Sequence, residues 1–344
     1  MPQENPLVSI AITNYNYGRF IARAIRSVLK QTFEDFEIVV VDNASTDNSV
    51  EIVRGFMDTD PRIRLVVNPE NIGTVRNHQR SADAARGTYL VHLDADDWII
   101  DPDALKFQVE MLNNNPDVSF VFSPIVNSGP EDQAFVETRP FFQDTIVPGE
   151  IGIKHVIMRK IASSGPMVRM SALRKFNGYN LDYEMSCDLK LVVDLCGQGK
   201  VGYIDRPLYC IFVHPNRASS VAKPAAFQTF MCNAIESAFT GPLKGRIAGA
   251  ERCRRQALNL AMLVPATSKI FSDQYLDGWS LVLDSVRRRP LIALAVKPLL
   301  VLSARTILGN WGWKQLERVK GRGPVDLAFR SNAAGTQSAP VSPR

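Results

Sequence analysis

No run of 18 uninterrupted apolar residues occurs in this sequence, so a simple membrane-spanning helix is not expected. The opening residues, MPQENPLVSI, have neither a positive start nor a long apolar stretch, and the pattern of a secretory leader is missing as well. Cysteine is scarce: Cys187, Cys196, Cys210, Cys232 and Cys253 are odd in number and form no C-x-x-C pair, which fits a reducing compartment. No internal repeat is visible. Together these absences lead us to expect a cytoplasmic body.

What is there is an ordinary folded composition with an uneven charge. The 344 residues are 45% hydrophobic and 22% charged, which excludes wholesale disorder. Overall the net charge is +5, yet residues 240 to 344 alone hold 17 Lys plus Arg against 6 Asp plus Glu, leaving −6 for the rest. An acidic body and a basic tail facing an anionic surface is one reading; a solvated basic face is the other.

Apolar runs alternate with helical stretches through the first hundred residues. LVSIAIT (7–13) is followed by the turn-like NYNYG and a helix over Arg19 to Gln31. A buried strand over Glu37 to Val41 ends at Asp42 and leads through ASTDNS into a helix, in which Asp47 has the character of a cap. IRLVVN precedes a helix over Thr74 to Arg86, and TYLVHLDADD supplies a fourth strand. This spacing predicts a mostly parallel sheet with helices on both faces, and ligands in such sheets gather beyond the carboxyl ends of the strands. A helix over Pro102 to Asn114 and a single strand in VSFVFSPI are expected next. Residues 127 to 150 read as loop-rich, with Pro130, Pro140 and Pro148 breaking any regular pattern. A helix near Leu189 to Cys196, a strand in VGYIDR and a polar turn in HPNRASS close this part, and helices follow Lys223. The stretch from Gly321 is rich in Gly, Pro, Ser and Ala and reads as disordered.

Asp94, Asp96 and Asp97 stand where an apolar strand stops. Like charges gathered there are costly unless something positive shares the space. Asp-x-Asp alone is a weak signal, but at the functional edge of a parallel sheet its hard oxygens suit Mg²⁺ or Mn²⁺ carrying a diphosphate. The rival reading makes Asp96 and Asp97 turn caps. Asp42 could accept a hydrogen bond from a nucleobase or a ribose hydroxyl.

The blocks VSIAITNYNYGRFIARAIRSVLKQTFEDFEIVVVDNASTDNS and NPENIGTVRNHQRSADAARGTYLVHLDADD together resemble the N-terminal half of family 2 glycosyltransferases of GT-A fold, over roughly residues 6 to 221. The resemblance implies that Thr13, Asn14 and Tyr15 line a nucleotide pocket, that Asp42 holds the base, that Asn71, Gly73 and Arg76 lie near the nucleotide, and that Asp94 and Asp96 serve the metal and diphosphate. Asn43 departs from the family, where a second acid is common. By the same resemblance Asp188 is the general base of an inverting transfer, with Cys187 in the place of its usual Glu neighbour and Glu184 in reserve. His214 matches a histidine that meets the metal or diphosphate in many relatives.

The implied layout is a GT-A domain over 1–222, with a nucleotide-binding half (1–100) and an acceptor half (101–222), then a helical region over 223–320 and a tail over 321–344. The implied partners are a nucleotide-diphosphate sugar donor and a glycan or lipid-linked acceptor, as in bacterial surface polysaccharide synthesis, and no nucleic acid. Two rival activities stay open. A nucleotidyltransferase would carry a Gly-rich, basic loop after the first strand, where NYNYGRF offers one glycine and one arginine. A non-catalytic sugar-nucleotide binder is favoured by Cys187. Residues 287–308 could lie in a membrane interface, anchored by Arg287 to Arg289 and by Trp311 and Trp313, since Lys297 and Arg305 would each cost roughly 2.5 to 3.5 kcal/mol at a bilayer centre. They could equally form an ordinary packed helix. Peripheral contact with the inner face of the plasma membrane follows from the first alternative.

Overall fold

The computed structural model describes residues 5–129, 134–136, 140–158, 165–214, 217, 224–271, 274–288, 299, 302–304 and 306. Strand and helix alternate from the start: β1 (Val8–Asn14), α1 (Gly18–Leu29), β2 (Phe36–Asp42), α2 (Ser49–Met57), β3 (Ile63–Val67), α3 (Thr74–Ala84) and β4 (Tyr89–Asp94). β1, β2 and β4 are almost wholly buried because both faces of the sheet are covered, which is why they read as largely apolar runs without a period of two.

The next elements are β5 (Trp98–Ile99), α4 (Ala104–Asn114), β6 (Val118–Phe122), β7 (Ile125–Ser128), β8 (Ala134–Val136), β9 (Thr145–Val147), α5 (Gly149–Ile157), β10 (Met167–Arg169) and α6 (Met170–Arg174). A single 3₁₀ turn (Glu184–Ser186) then leads into α7 (Cys187–Cys196), β11 (Lys200–Tyr203) and β12 (Tyr209–Phe212). The main sheet has the order β3-β2-β1-β4-β10-β6-β11-β9, and a smaller one runs β5-β12-β7-β8. β1 lies parallel to both β2 and β4, whereas β10 runs antiparallel between β4 and β6 and joins the two halves of the main sheet.

Two expectations need correction. VSFVFSPI is not one strand: it divides at Ser123-Pro124 into β6 of the main sheet and β7 of the small one, because proline has no N–H to give the ladder. Residues 127 to 150 are not all loop either, since they contain two edge strands, β8 paired with β7 and β9 paired with β11.

The sheet separates two apolar clusters. On one face Ile10, Ile12, Val91 and Leu93 pack with Ile21, Ile25 and Val28 of α1 and with Leu105 and Leu112 of α4. On the other, Leu90, Phe120 and Val168 meet Ile153 and Val156 of α5 and Leu191 and Leu195 of α7. That second cluster continues into α8 (Pro224–Thr240) and α9 (Ala250–Phe271) through Met231, Ile235, Ala257 and Leu258, so the core is continuous across residue 222. α10 (Tyr275–Arg288) packs on α9, with Val282 beside Leu263 and Ile270. Most of 287–308 and all of 321–344 lie outside the described residues, as do Trp311 and Trp313. No helix of the described residues is long and apolar enough to cross a membrane.

Candidate functional site

Register assembles the site. In the parallel ladders Thr13 stands opposite Asp94 and Asn14 opposite Asp42, so three strands end their carboxyl edges side by side. The three acids sit beyond that edge, held differently. Asp94 is the open one, with a side chain 36% exposed, whereas Asp96 and Asp97 are 1% exposed.

The small sheet brings the partners of these acids from more than a hundred residues away. β12 pairs with β5, and the Phe212 N–H donates to Asp97 Oδ1 at 3.0 Å. Two residues beyond the strand, His214 Nε2 lies 3.1 Å from Asp96 Oδ2, its ring packed among Tyr17, Phe20 and Phe212. Arg217 reaches all three carboxylates, at 3.8 Å from Asp94, 3.8 Å from Asp96 and 3.4 Å from Asp97. Arg23 lies 3.6 Å above the Trp98 ring and donates to the Asp96 carbonyl at 2.9 Å. The positive charge demanded by an acidic strand end is therefore partly supplied by the protein itself.

Burial, joined by the charges of Asp96 and Asp94, pushes the Asp97 carboxyl up to about 8 against the pull of Arg217 and the Phe212 N–H. Burial acts on Asp94 in the same sense, but His92, His78 and Arg217 outweigh it and hold that carboxyl below its usual range. Burial drives Arg217 down, and the three aspartates more than compensate, so its pKa rises.

A second group lies on the other side of Asp94. The His78 and His92 rings stack with centroids 4.0 Å apart. His78 Nδ1 donates to the Thr74 carbonyl at 2.9 Å, and burial, helped by His92, pushes the ring down to about 4. His92 Nε2 lies 3.2 Å from Thr13 Oγ1 and 3.6 Å from Asp94 Oδ1. Both rings, with Tyr179 and Asp188, line a cavity of about 20 Å³. Asp188 stands in the first turn of α7, Oδ1 accepting from the Leu189 N–H at 2.6 Å. Its neighbour Cys187 is buried, and burial followed by the Asp188 charge pushes the thiol well up. Glu184 is exposed and its carboxylate packs beside Gly73, away from that cavity.

The residues expected near a nucleotide form two linked groups. Asp42 is 1% exposed and accepts from Asn14 Nδ2, the Ser45 N–H and the Ser45 hydroxyl, which leaves its oxygens about one free lone-pair site. Asn43 braces the other loop: Nδ2 donates to Asn71 Oδ1 at 2.8 Å, and Oδ1 accepts from the Asn68 side chain and the Ile72 N–H. An acid there could accept but not donate, so the asparagine suits this double contact. Gly73 has φ +83, a conformation that favours glycine. Tyr15 is 44% exposed, and Arg76 stands exposed on α3. Asp47 ties together the starts of two helices, accepting from the Gly18 and Ser49 N–H groups.

The acidic corner suits a hard divalent cation. Carboxylate oxygens of Asp94, Asp96 and Asp97 lie within 4.8 Å of one another, with an imidazole at Asp96. Of the residues expected from sequence, Thr13, Asp94, Asp96 and His214 meet here, Asn14 and Asp42 meet on the adjoining strands, Asn71 and Gly73 meet through Asn43, and Asp188 faces the histidine cavity. Sequence reasoning missed Arg23, Arg217, His78, His92 and Tyr179. His78 and His92 could have been noticed, two of only four histidines falling on neighbouring elements that lead into Asp94.

A sheet of this order with its acids beyond the central strands defines a nucleotide-sugar transferase type of fold. Residues 9–175 match the family model Glycosyl transferase family 2, and the chain carries a family 2 glycosyltransferase domain of GT-A fold. Over 214 residues it is 26% identical to chondroitin synthase of Pasteurella multocida, a match covering 62% of this chain and 21% of that protein. The chain thus spans about a fifth of the length of that curated relative. Among solved structures it resembles S. aureus TarS 1-349 in complex with UDP-GlcNAc, with a TM-score of 0.63, 18% identity and 92% of both chains covered. It also resembles a mannosyltransferase from Pyrobaculum calidifontis in complex with GDP-Man and Mn²⁺, with a TM-score of 0.56, 18% identity and 89% of both chains covered.

Proposed function

We propose that the protein transfers a sugar from a nucleotide-diphosphate donor to an acceptor hydroxyl, with inversion at the anomeric carbon. The observation that carries this reading is the nearness of Asp188 to the acidic corner: it lines one cavity with His92, and His92 lies 3.6 Å from Asp94. A donor whose diphosphate lies at the acidic corner brings its anomeric carbon toward that cavity, with Asp188 on the side from which an acceptor attacks.

Asp96 and His214 would hold Mg²⁺ or Mn²⁺, and such an ion supplies Lewis-acid neutralisation of the departing diphosphate. Arg217 orients the diphosphate, its guanidinium moving from carboxylates to phosphate oxygens, and Asp94 joins Asp96 in the acidic corner that would hold the ion. Asp188 takes the acceptor proton as general base. Leu90, Val168, Leu191 and Val192 give its cavity apolar walls. Thr13, Asn14, Tyr15, Asp42, Asn71, Gly73 and Arg76 form the nucleotide side. TarS and the mannosyltransferase, solved in complex with UDP-GlcNAc and with GDP-Man and Mn²⁺, support a donor of this class.

The layout proposed with this function is a transferase domain over 1–222 and a helical region over 223–320 that meets an anionic, membrane-proximal glycan or lipid-linked acceptor on the cytoplasmic side. Removing residues 287–344 should reduce sedimentation with anionic vesicles; unchanged sedimentation counts against membrane contact. Nucleotide sugars incubated with the purified chain should release nucleoside diphosphate only with divalent metal. Asp96→Ala and Asp188→Asn should each lower that release at least a hundredfold, the second with nucleotide binding retained. Release of pyrophosphate would mark a nucleotidyltransferase, and release of neither a binder.

A further inference from the structure

Beside the acidic corner lies a donor set of a different chemical character. His78 Nε2 lies 3.9 Å and His92 Nε2 3.6 Å from the same oxygen, Oδ1 of Asp94, and the three ligand atoms fall within 4.8 Å of one another. Because His78 Nδ1 gives its proton to the Thr74 carbonyl, the neutral ring turns a bare lone pair at Nε2 toward a carboxylate oxygen. Two lone pairs facing each other across 3.9 Å repel unless a proton or a cation lies between. A backbone carbonyl on the far nitrogen is also the usual outer contact of a metal-bound histidine.

We propose that His78, His92 and Asp94 bind one transition-metal ion of the zinc class, at a site separate from the hard-cation corner of Asp96. Ligand atoms around a tetrahedral Zn²⁺ lie about 3.3 Å apart, so the two histidines need to close by only a few tenths of an ångström on Asp94. The stacked rings must splay for both lone pairs to converge. Thr13 Oγ1, 3.2 Å from His92 Nε2 and 3.4 Å from Asp94 Oδ1, stands where a fourth ligand or a bound water completes the shell. His92 Nδ1 is buried and has no hydrogen-bond partner among the described residues, and the cavity beside it holds about one water, which would accept its proton once Nε2 is metallated. Two imidazoles and one carboxylate with an open position select Zn²⁺ or Co²⁺ over Mg²⁺.

The site shares Asp94 with the donor corner. One consequence, which rests on the proposed function, is that zinc draws Asp94 out of the acidic corner that would hold the hard cation. Metal binding itself does not rest on that reading.

The full chain in excess Mg²⁺ is titrated with Co²⁺. One equivalent should give the visible absorption of tetrahedral Co²⁺ without sulfur-to-metal charge transfer, and Zn²⁺ should bleach it. His78→Gln and His92→Gln should each weaken Co²⁺ binding at least tenfold, while Asp96→Asn should leave it within about twofold. X-ray absorption on the zinc-loaded natural chain, which needs no variant, should show two imidazoles. A shell of oxygen alone, a thiolate band, displacement by Mg²⁺, or histidine variants that fold and bind Co²⁺ as before would each overturn the proposal.

Discussion

Three aspartates within four residues carry opposite demands, and the difference between them is a matter of neighbours. Asp97 favours its neutral form up to about pH 8, and its ordinary value is near 3.8, so the folded chain binds more protons than the unfolded one between those limits and stability falls as pH rises through that window. Asp97→Asn should therefore stabilise the metal-free protein progressively more from pH 4 to pH 8, as read by urea unfolding in EDTA. His78 has the reverse sign. Its folded value of about 4 lies below the ordinary 6.5, so its contribution is present above pH 6.5 and lost as pH falls through 4. His78→Gln should flatten that acid limb, removing a dependence on the order of 3 kcal/mol. Legibility at this scale was uneven. Asp94 and Asp96 stand out because acids next to an apolar run are conspicuous, and Asp188 through the family resemblance alone, whereas Arg217 looks like any arginine in a polar turn, and only its approach to three carboxylates gives it a role.

Elements decide where those residues go. β1 pairs with β2 and β4 in a register that sets Thr13 against Asp94 and Asn14 against Asp42; a slip by one residue would turn every side chain of β1 to the opposite face. The approach of α5 to α7 is equally exacting, since a Cβ on Gly149 would fall 1.7 Å from the Cys196 carbonyl oxygen. Gly149→Ala should destabilise the fold by about 1–3 kcal/mol, measured as a shift in the urea midpoint, because backbone rather than a flexible side chain stands in the way. Helix starts and strand ends were visible in the pattern of apolar residues to within two or three positions. The division of VSFVFSPI between two sheets was not, because β6 and β7 have the same composition and differ only in what they pair with.

At the scale of the molecule, the helices after residue 222 complete the core of the half that holds Asp188. Met231, Ile235, Ala257 and Leu258 join the cluster containing Leu191 and Phe120, so a chain ending at residue 222 should be recovered as aggregate, or should bind a hydrophobic dye strongly, under conditions where the full chain is monodisperse. Sequence alone determined the alternation of buried strands and helices, the doubly covered sheet and the acids at its carboxyl edge, because each depends on hydrophobic period and on neighbours a few residues away. Tertiary structure decided the company those acids keep. His214 and Arg217 meet Asp94 to Asp97 across more than a hundred residues, and His78 stacks on His92, only because β12 pairs with β5 and α3 packs against the sheet. Pairings of that kind are set by packing across the whole core, and no local run of residues records them.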